Sequence, residues 1–333
     1  MIASIDSQER LFAQRLGHGD LATFDERRVA LAQRLGRKMN FTYHGNRSTT
    51  DLQQSLFASP SRLISRLVAQ PFIGLTFVVN VAVVGIGLVA AEPGRAAPLD
   101  EGVEQYRAHL IADVDRTLTS AKRLRDSAAA GDLTAAKQEW IEARIGWERS
   151  EVFTAGFVPE LDRDIDAWPN GLVGFHAVEA RLFGANQTDF ANEMNELLLR
   201  LAELSTTVRN VKLTAQGLLD GVARLAFEVG ESKADGGESR VSGTSLNDMR
   251  NNVDGIELAY RTIFASEVDA SDRQLGAGLQ RSIDELKTMV DRPDLRHLEP
   301  DQLRAATEEL VLKLQSAAPL LRLEKPTLEA NAR

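Results

Sequence analysis

The chain has no cysteine. Disulfides, thiolate zinc sites, iron–sulfur clusters and cysteine nucleophiles are excluded together. Any metal must be held by imidazole and oxygen donors, and imidazole is scarce. The histidines are His18, His44, His109, His176 and His297. Aromatic residues make up only 6%, although the 43% apolar fraction is enough for a real core. No basic stripe is present and the net charge is −9, so nucleic acid is not an expected partner. H-E-x-x-H, G-x-S-x-G, a P-loop and a dinucleotide fingerprint are all missing. Gly85-Ile86-Gly87 lies inside an apolar run and reads as packing. No period-two run of β-branched residues appears, which argues against strands.

One long hydrophobic run is present. From Leu67 to Ala91 no residue is charged, with Arg62 and Arg66 just before it and Glu92 just after. That polarity puts the N-terminal side in the cytoplasm. Val89-Ala90-Ala91 offers the small residues that a signal peptidase needs. Two readings of 67–91 remain open, a cleaved signal and an uncleaved membrane anchor. Residues 1–66 form an extension, either a translation-start artefact, with Met39 as a later start, or a short cytoplasmic tail.

Residues 99–325 read as helical almost throughout. Leu110, Val114, Leu118, Ala121 and Leu124 recur at helical spacing. Gly131 ends this first helix and Asp132 can cap the second, over about 133–154. Pro159 to Gly171 is expected as a loop, followed by a motif helix ending near Gly184. A long helix is expected from Thr188 to Val229, then a polar loop from Gly230 to Gly243. Three further helices follow, starting near Ser245, Ser271 and Asp301. The expected fold is all-α, two packed helical bundles of the four-helix type over 99–230 and 244–325.

The chemistry concentrates in Gly174-Phe175-His176-Ala177-Val178-Glu179. On a helix, His176 and Glu179 share a face, and both can point at one cation. The bland alternative is a core histidine hydrogen-bonded to its neighbour. Glu148 and Glu151 are also three apart, on the preceding helix, where they either join a metal site or form a charged face with Arg144 and Arg149. Asp162, Asp164 and Asp166 begin like a calcium loop. Ala167 replaces the turn glycine and Val173 the bidentate glutamate, so an EF-hand is rejected.

Together these stretches resemble the imelysin-like family. Gly174 to Gly184 looks like its G-x-H-x-x-E signature, and Trp147-Glu148-Arg149-Ser150-Glu151 resembles its aromatic-Glu-x-x-Glu segment. Gly236-Gly237-Glu238-Ser239 through Thr244 to Ile256 resembles its second-half segment. The resemblance covers about residues 99–325. It implies two helical bundles with a metal site near their junction. His176 and Glu179 are the implied ligands, with Glu148 as a third. Glu151, Asp162 and Asp166 are further carry-overs, and Asp248 and Asn251 line the site from the second half. The family includes the periplasmic iron-binding component of a bacterial iron uptake system. The implied function is therefore an exported iron-capturing protein that hands ferrous or ferric iron to an inner-membrane permease. Zinc and copper stay open as ions. A metallopeptidase and a metal-free interaction module stay open as functions. One departure stands out. Iron-uptake members often have a histidine in a Tyr-Ser-His-Thr stretch, and this chain has Val241-Ser242-Gly243-Thr244. No cupredoxin-like strand domain is expected before the helical part.

Overall fold

The computed structural model describes residues 98–166, 173–234 and 236–328. The extension 1–66, the hydrophobic run 67–91 and the end of the expected loop, Trp168-Pro169-Asn170-Gly171, lie outside these residues. Among the described residues there are helices and no strands, so the fold is all-α. No described helix is long and apolar enough to cross a membrane.

Helix α1 (Pro98–Ala129) carries Asp100 and Glu101 in its first turn, where they oppose the positive end of the helix dipole. Its stripe of Tyr106, Leu110, Val114, Ala121 and Leu124 is buried. Gly131 turns the chain at φ +74°. Asp132 then caps α2 (Leu133–Phe157) by accepting from the Ala135 amide at 2.9 Å.

Helix α2 is the centre of the molecule. It packs on α1, on α6 (Ala215–Glu228) and on α7 (Ser245–Ala259). Burial on nearly every side explains why its sequence is not strongly amphipathic. Charged residues on this helix are consequently forced into the interior. Gly255 makes the α7 contact possible, because a Cβ there would lie 2.6 Å from the Arg149 carbonyl oxygen.

Two sets of helices share α2. On one side stand α1, α5 (Ala191–Asn210) and the short α3 (Pro159–Asp166) and α4 (Gly174–Glu179). On the other, α6, α7, α9 (Arg273–Val290) and α10 (Pro300–Ala317) pack on one another, and the buried apolar residues of both sets belong to one continuous core. Between α7 and α9 lies the short α8 (Ala265–Ser271). Three helices run on into widened π-helical turns, at Ala180–Gly184, Val229–Lys233 and Tyr260–Phe264.

Several local boundaries differ from the sequence expectation. The stretch expected as a loop from Pro159 contains α3, because proline fits a helical first position and Glu160 and Asp162 favour the N-terminal turn. The helix expected over 188–229 is broken at 211–214. There Val211 is extended, and Thr214 starts α6 by accepting from the Gly217 amide at 3.1 Å. Helix α9 is capped by Asp272, one residue after the expected start.

Candidate metal centre

Helix α2 places Arg144, Glu148 and Glu151 on one stripe, at spacings of four and three. Arg144 and Glu148 are fully buried. The Arg144 guanidinium donates to Asp166 Oδ1 at 2.5 Å, Glu238 Oε1 at 2.7 Å and Asp248 Oδ2 at 3.3 Å, and pairs with Glu148. Its flat face lies over the Trp140 and Phe175 rings. The Lys233 ammonium, at the end of the π turn after α6, contacts Glu148 at 2.8 Å, Glu151 at 2.9 Å and Glu238 at 3.1 Å. Asn252 Nδ2 donates to Glu148 Oε2 at 2.9 Å and Glu151 Oε2 at 2.7 Å.

The motif helix α4 closes this cluster from one side. Gly174 has φ +63°, and a Cβ on it would lie 2.2 Å from the Ile165 carbonyl oxygen. The motif glycine therefore lets α4 start hard against the end of α3. His176 sits one turn inside, 7% exposed. Its Nδ1 meets Glu179 Oε2 at 2.7 Å. Glu179 Oε1 accepts from the Ser242 amide at 2.8 Å and the Ser242 hydroxyl at 2.7 Å. His176 Nε2 is buried, has no hydrogen-bond partner and lies 3.7 Å from Asp166 Oδ1.

Two overlapping ligand groups result. Donor atoms of Asp166, His176 and Glu238 lie within 4.8 Å of one another, and so do those of Glu148, Glu151, Asp166 and Glu238. The electrostatics reflect crowding of like charges. Burial, with Glu148 beside it, pushes the Glu151 carboxyl well above its usual range, although Lys233 opposes the rise. Burial also raises Asp248 to about 7 against the pull of Arg144. For His176, burial favours the neutral ring, but Asp166 and the Glu179 hydrogen bond outweigh it and its pKa is raised. Burial would raise Glu179, yet its bonds to His176 and Ser242 hold it below the ordinary value. Lys233 and Arg144 stay charged, since the surrounding carboxylates outweigh the cost of burying them.

Of the residues singled out in the sequence, His176, Glu148, Glu151 and Asp166 come together. Asp248 joins them through Arg144. Glu179 does not face the same point as His176 Nε2, because both its oxygens are engaged by His176 and Ser242. Asp162 belongs to neither ligand group; it accepts from Thr154, and burial raises its pKa to about 7. Asn251 donates to the Asn247 carbonyl of its own helix at 2.8 Å. Its neighbour Asn252 shares a face with Asp248 at i and i+4 and reaches the carboxylates instead. Arg144, Lys233, Glu238 and Ser242 were not singled out as site residues. Glu238 and Ser242 arrive on the turns at 236–244, and no helical spacing could have signalled them. The loop supplies the Glu238 carboxylate and the Ser242 donors.

The family model described as Imelysin (Peptidase_M75) matches residues 102–173 and 170–321. The Efem/EfeO family lipoprotein of Staphylococcus haemolyticus (strain JCSC1435) is 27% identical over 207 residues, covering 59% of this chain and 71% of that protein. Iron uptake system component EfeO of Escherichia coli (strain K12) is 30% identical over 178 residues, covering 50% of this chain and 47% of its own length. The match thus spans about half of that relative. A solved protein described as an iron-regulated protein A precursor, from Parabacteroides distasonis ATCC 8503, superposes with a TM-score of 0.53. It covers 69% of this chain and 97% of its own, at 18% identity, so the likeness is one of fold.

Proposed function

Because the chain belongs to the imelysin family, we propose that it is an exported component of an iron uptake system that binds iron as cargo at the buried cluster around His176. The observation that carries this reading is the His176 Nε2 atom. It is buried without a protein partner and faces Asp166 and Glu238. A buried imidazole nitrogen normally has a partner, and a metal ion is the one such a carboxylate-rich neighbourhood suits best.

Charge balance supports the same reading. When fully ionised, Glu148, Glu151, Asp166, Glu238 and Asp248 outnumber Arg144, Lys233 and His176, the basic groups among the described residues that pair with them. Uncompensated buried charge is costly, and a di- or trivalent cation would relieve it. His176 Nε2, Asp166 and Glu238 would be the primary ligands, with Glu148 and Glu151 adjoining. Glu179 would fix the imidazole tautomer with the proton on Nδ1 and leave Nε2 free to bind. Hard oxygen donors with one imidazole suit ferrous or ferric iron.

The iron-uptake relatives support transfer to an inner-membrane permease, and the lipoprotein relative and the hydrophobic run at 67–91 support a location outside the cytoplasmic membrane. Capture is favoured over peptide hydrolysis by the state of the two α2 glutamates. A hydrolytic base needs a free oxygen near a bound water, whereas Glu148 and Glu151 are held by Lys233 and Asn252.

Titration of the purified protein with iron, zinc and copper, with elemental analysis, tests the reading. Stoichiometric iron binding that is lost in His176→Ala is expected. Binding of zinc or copper alone would reassign the cargo. Binding of no ion would leave a metal-free interaction module as the better account.

A further inference from the structure

The second ligand group already contains a cation. Lys233 Nζ lies within 3.1 Å of Glu148, Glu151 and Glu238, which are three of the four members of that group. The fourth, Asp166, is shared with the His176 group, as is Glu238. The two groups are therefore adjoining subsites with common carboxylates. One faces the unpartnered His176 Nε2 and the other is filled by an ammonium.

Lys233 is not a surface lysine folded inward by chance. It is 3% exposed and ends the π-helical turn Val229–Lys233. Such turns are uncommon and shift the residues after them around the helix axis. Gly230 in the same turn abuts α10, where a Cβ would lie 2.1 Å from Thr307 Oγ1. The turn is thus held against α10 three residues before the one that carries the ammonium.

We infer that Lys233 is a tethered cation that occupies the second of two adjoining metal subsites and restricts the protein to a single metal ion. The inference rests on the proposed function for its first subsite. Without the lysine, the four carboxylates and His176 would form a set of the kind that bridges two metals. Such centres hold both ions firmly, whereas a carrier must release its cargo. Lys233 therefore determines stoichiometry, and through it the ease of release.

The test is the number of metal ions per chain in the full-length protein, by native mass spectrometry after anaerobic loading with ferrous iron, repeated with zinc. The wild type should hold one ion, Lys233→Gln a second, and Lys233→Arg one again. Lys233→Gln leaves extra negative charge in the core and can impair folding. Lys233→Gln/Glu151→Gln keeps the net charge, retains an oxygen donor at 151 and introduces one at 233, and it too should take the second ion. If whichever of these variants folds holds one ion with wild-type affinity, the inference is overturned while the capture reading stands. If the wild type binds nothing and Lys233→Gln binds metal, the capture reading fails and the one-ion inference falls with it. If neither binds, both fall.

Discussion

His176 turns Nδ1 to Glu179 Oε2 at 2.7 Å and leaves Nε2 facing Asp166. The two partners of the motif, three residues apart, thus act in series. Glu179 holds the ring, and in the proposed function the ring holds the ion. Removing a carboxylate that orients a ligating histidine lowers metal affinity by about 10–100-fold. Glu179→Gln should show a loss of that order, while His176→Ala should lose binding altogether. Calorimetric titration of both variants checks the order. Equal loss in the two would mean that Glu179 is itself a ligand.

Among the described residues, Arg144 is the one cation that touches Glu148, Asp166, Glu238 and Asp248 together. Taking one partner from a buried ion network costs about 3–5 kcal/mol, because the remaining charges stay uncompensated. Arg144→Met should destabilise the metal-free protein by that amount in urea unfolding. Bound metal should restore part of the loss, since it replaces the missing positive charge. A metal-free Arg144→Met protein as stable as the wild type would remove the guanidinium from this role.

The helices were largely legible because their signals are local. The α1 stripe and the Asp132 cap depend on residues within a few positions of one another. The motif histidine was legible too, since Gly174 and His176 act within one short helix. Lys233 was not. It reaches the core through a widened turn that breaks the helical period on which sequence reading depends. Glu238 and Ser242 come from turns whose placement follows from long-range packing, so no spacing reveals them. Asn252 was missed by one residue, because the inward face of α7 is set by its contact with α2 and not by its own pattern. The orientation of Glu179 toward His176 is a choice between two geometries that share the same spacing.

The metal-free protein should lose stability as pH rises from about 5 to 7. Asp248 and Asp162 hold their protons up to about 7 in the fold, mainly through burial, against an ordinary value of 3.8. Glu151 is raised as well. In this window the folded state binds more protons than the unfolded chain, so stability falls with pH. Glu179 is shifted the other way, so its contribution is lost only at more acidic pH. Iron should flatten the slope by taking the place of the protons at its ligands. Thermal melts across this range, with and without iron, check the sign. A metal-free melting temperature that climbs steadily from pH 5 to 7 would contradict it.

Gly255 ties the stability of the centre to the packing of α7 on α2. An added Cβ would lie 2.6 Å from the Arg149 carbonyl oxygen and 3.0 Å from its Cα, both backbone atoms that cannot swing aside. Gly255→Ala must then push α7 outward. Overpacking of this kind costs about 1–3 kcal/mol. The displacement would also carry Asp248 and Asn252 away from Arg144 and Glu148, since both lie on the same helix. The variant should therefore lose metal affinity as well as stability, although residue 255 touches no candidate ligand. Urea unfolding and iron titration of Gly255→Ala measure the two effects. A destabilised variant with wild-type iron affinity would show that the centre depends on α2, α4 and the 236–244 turns without help from α7.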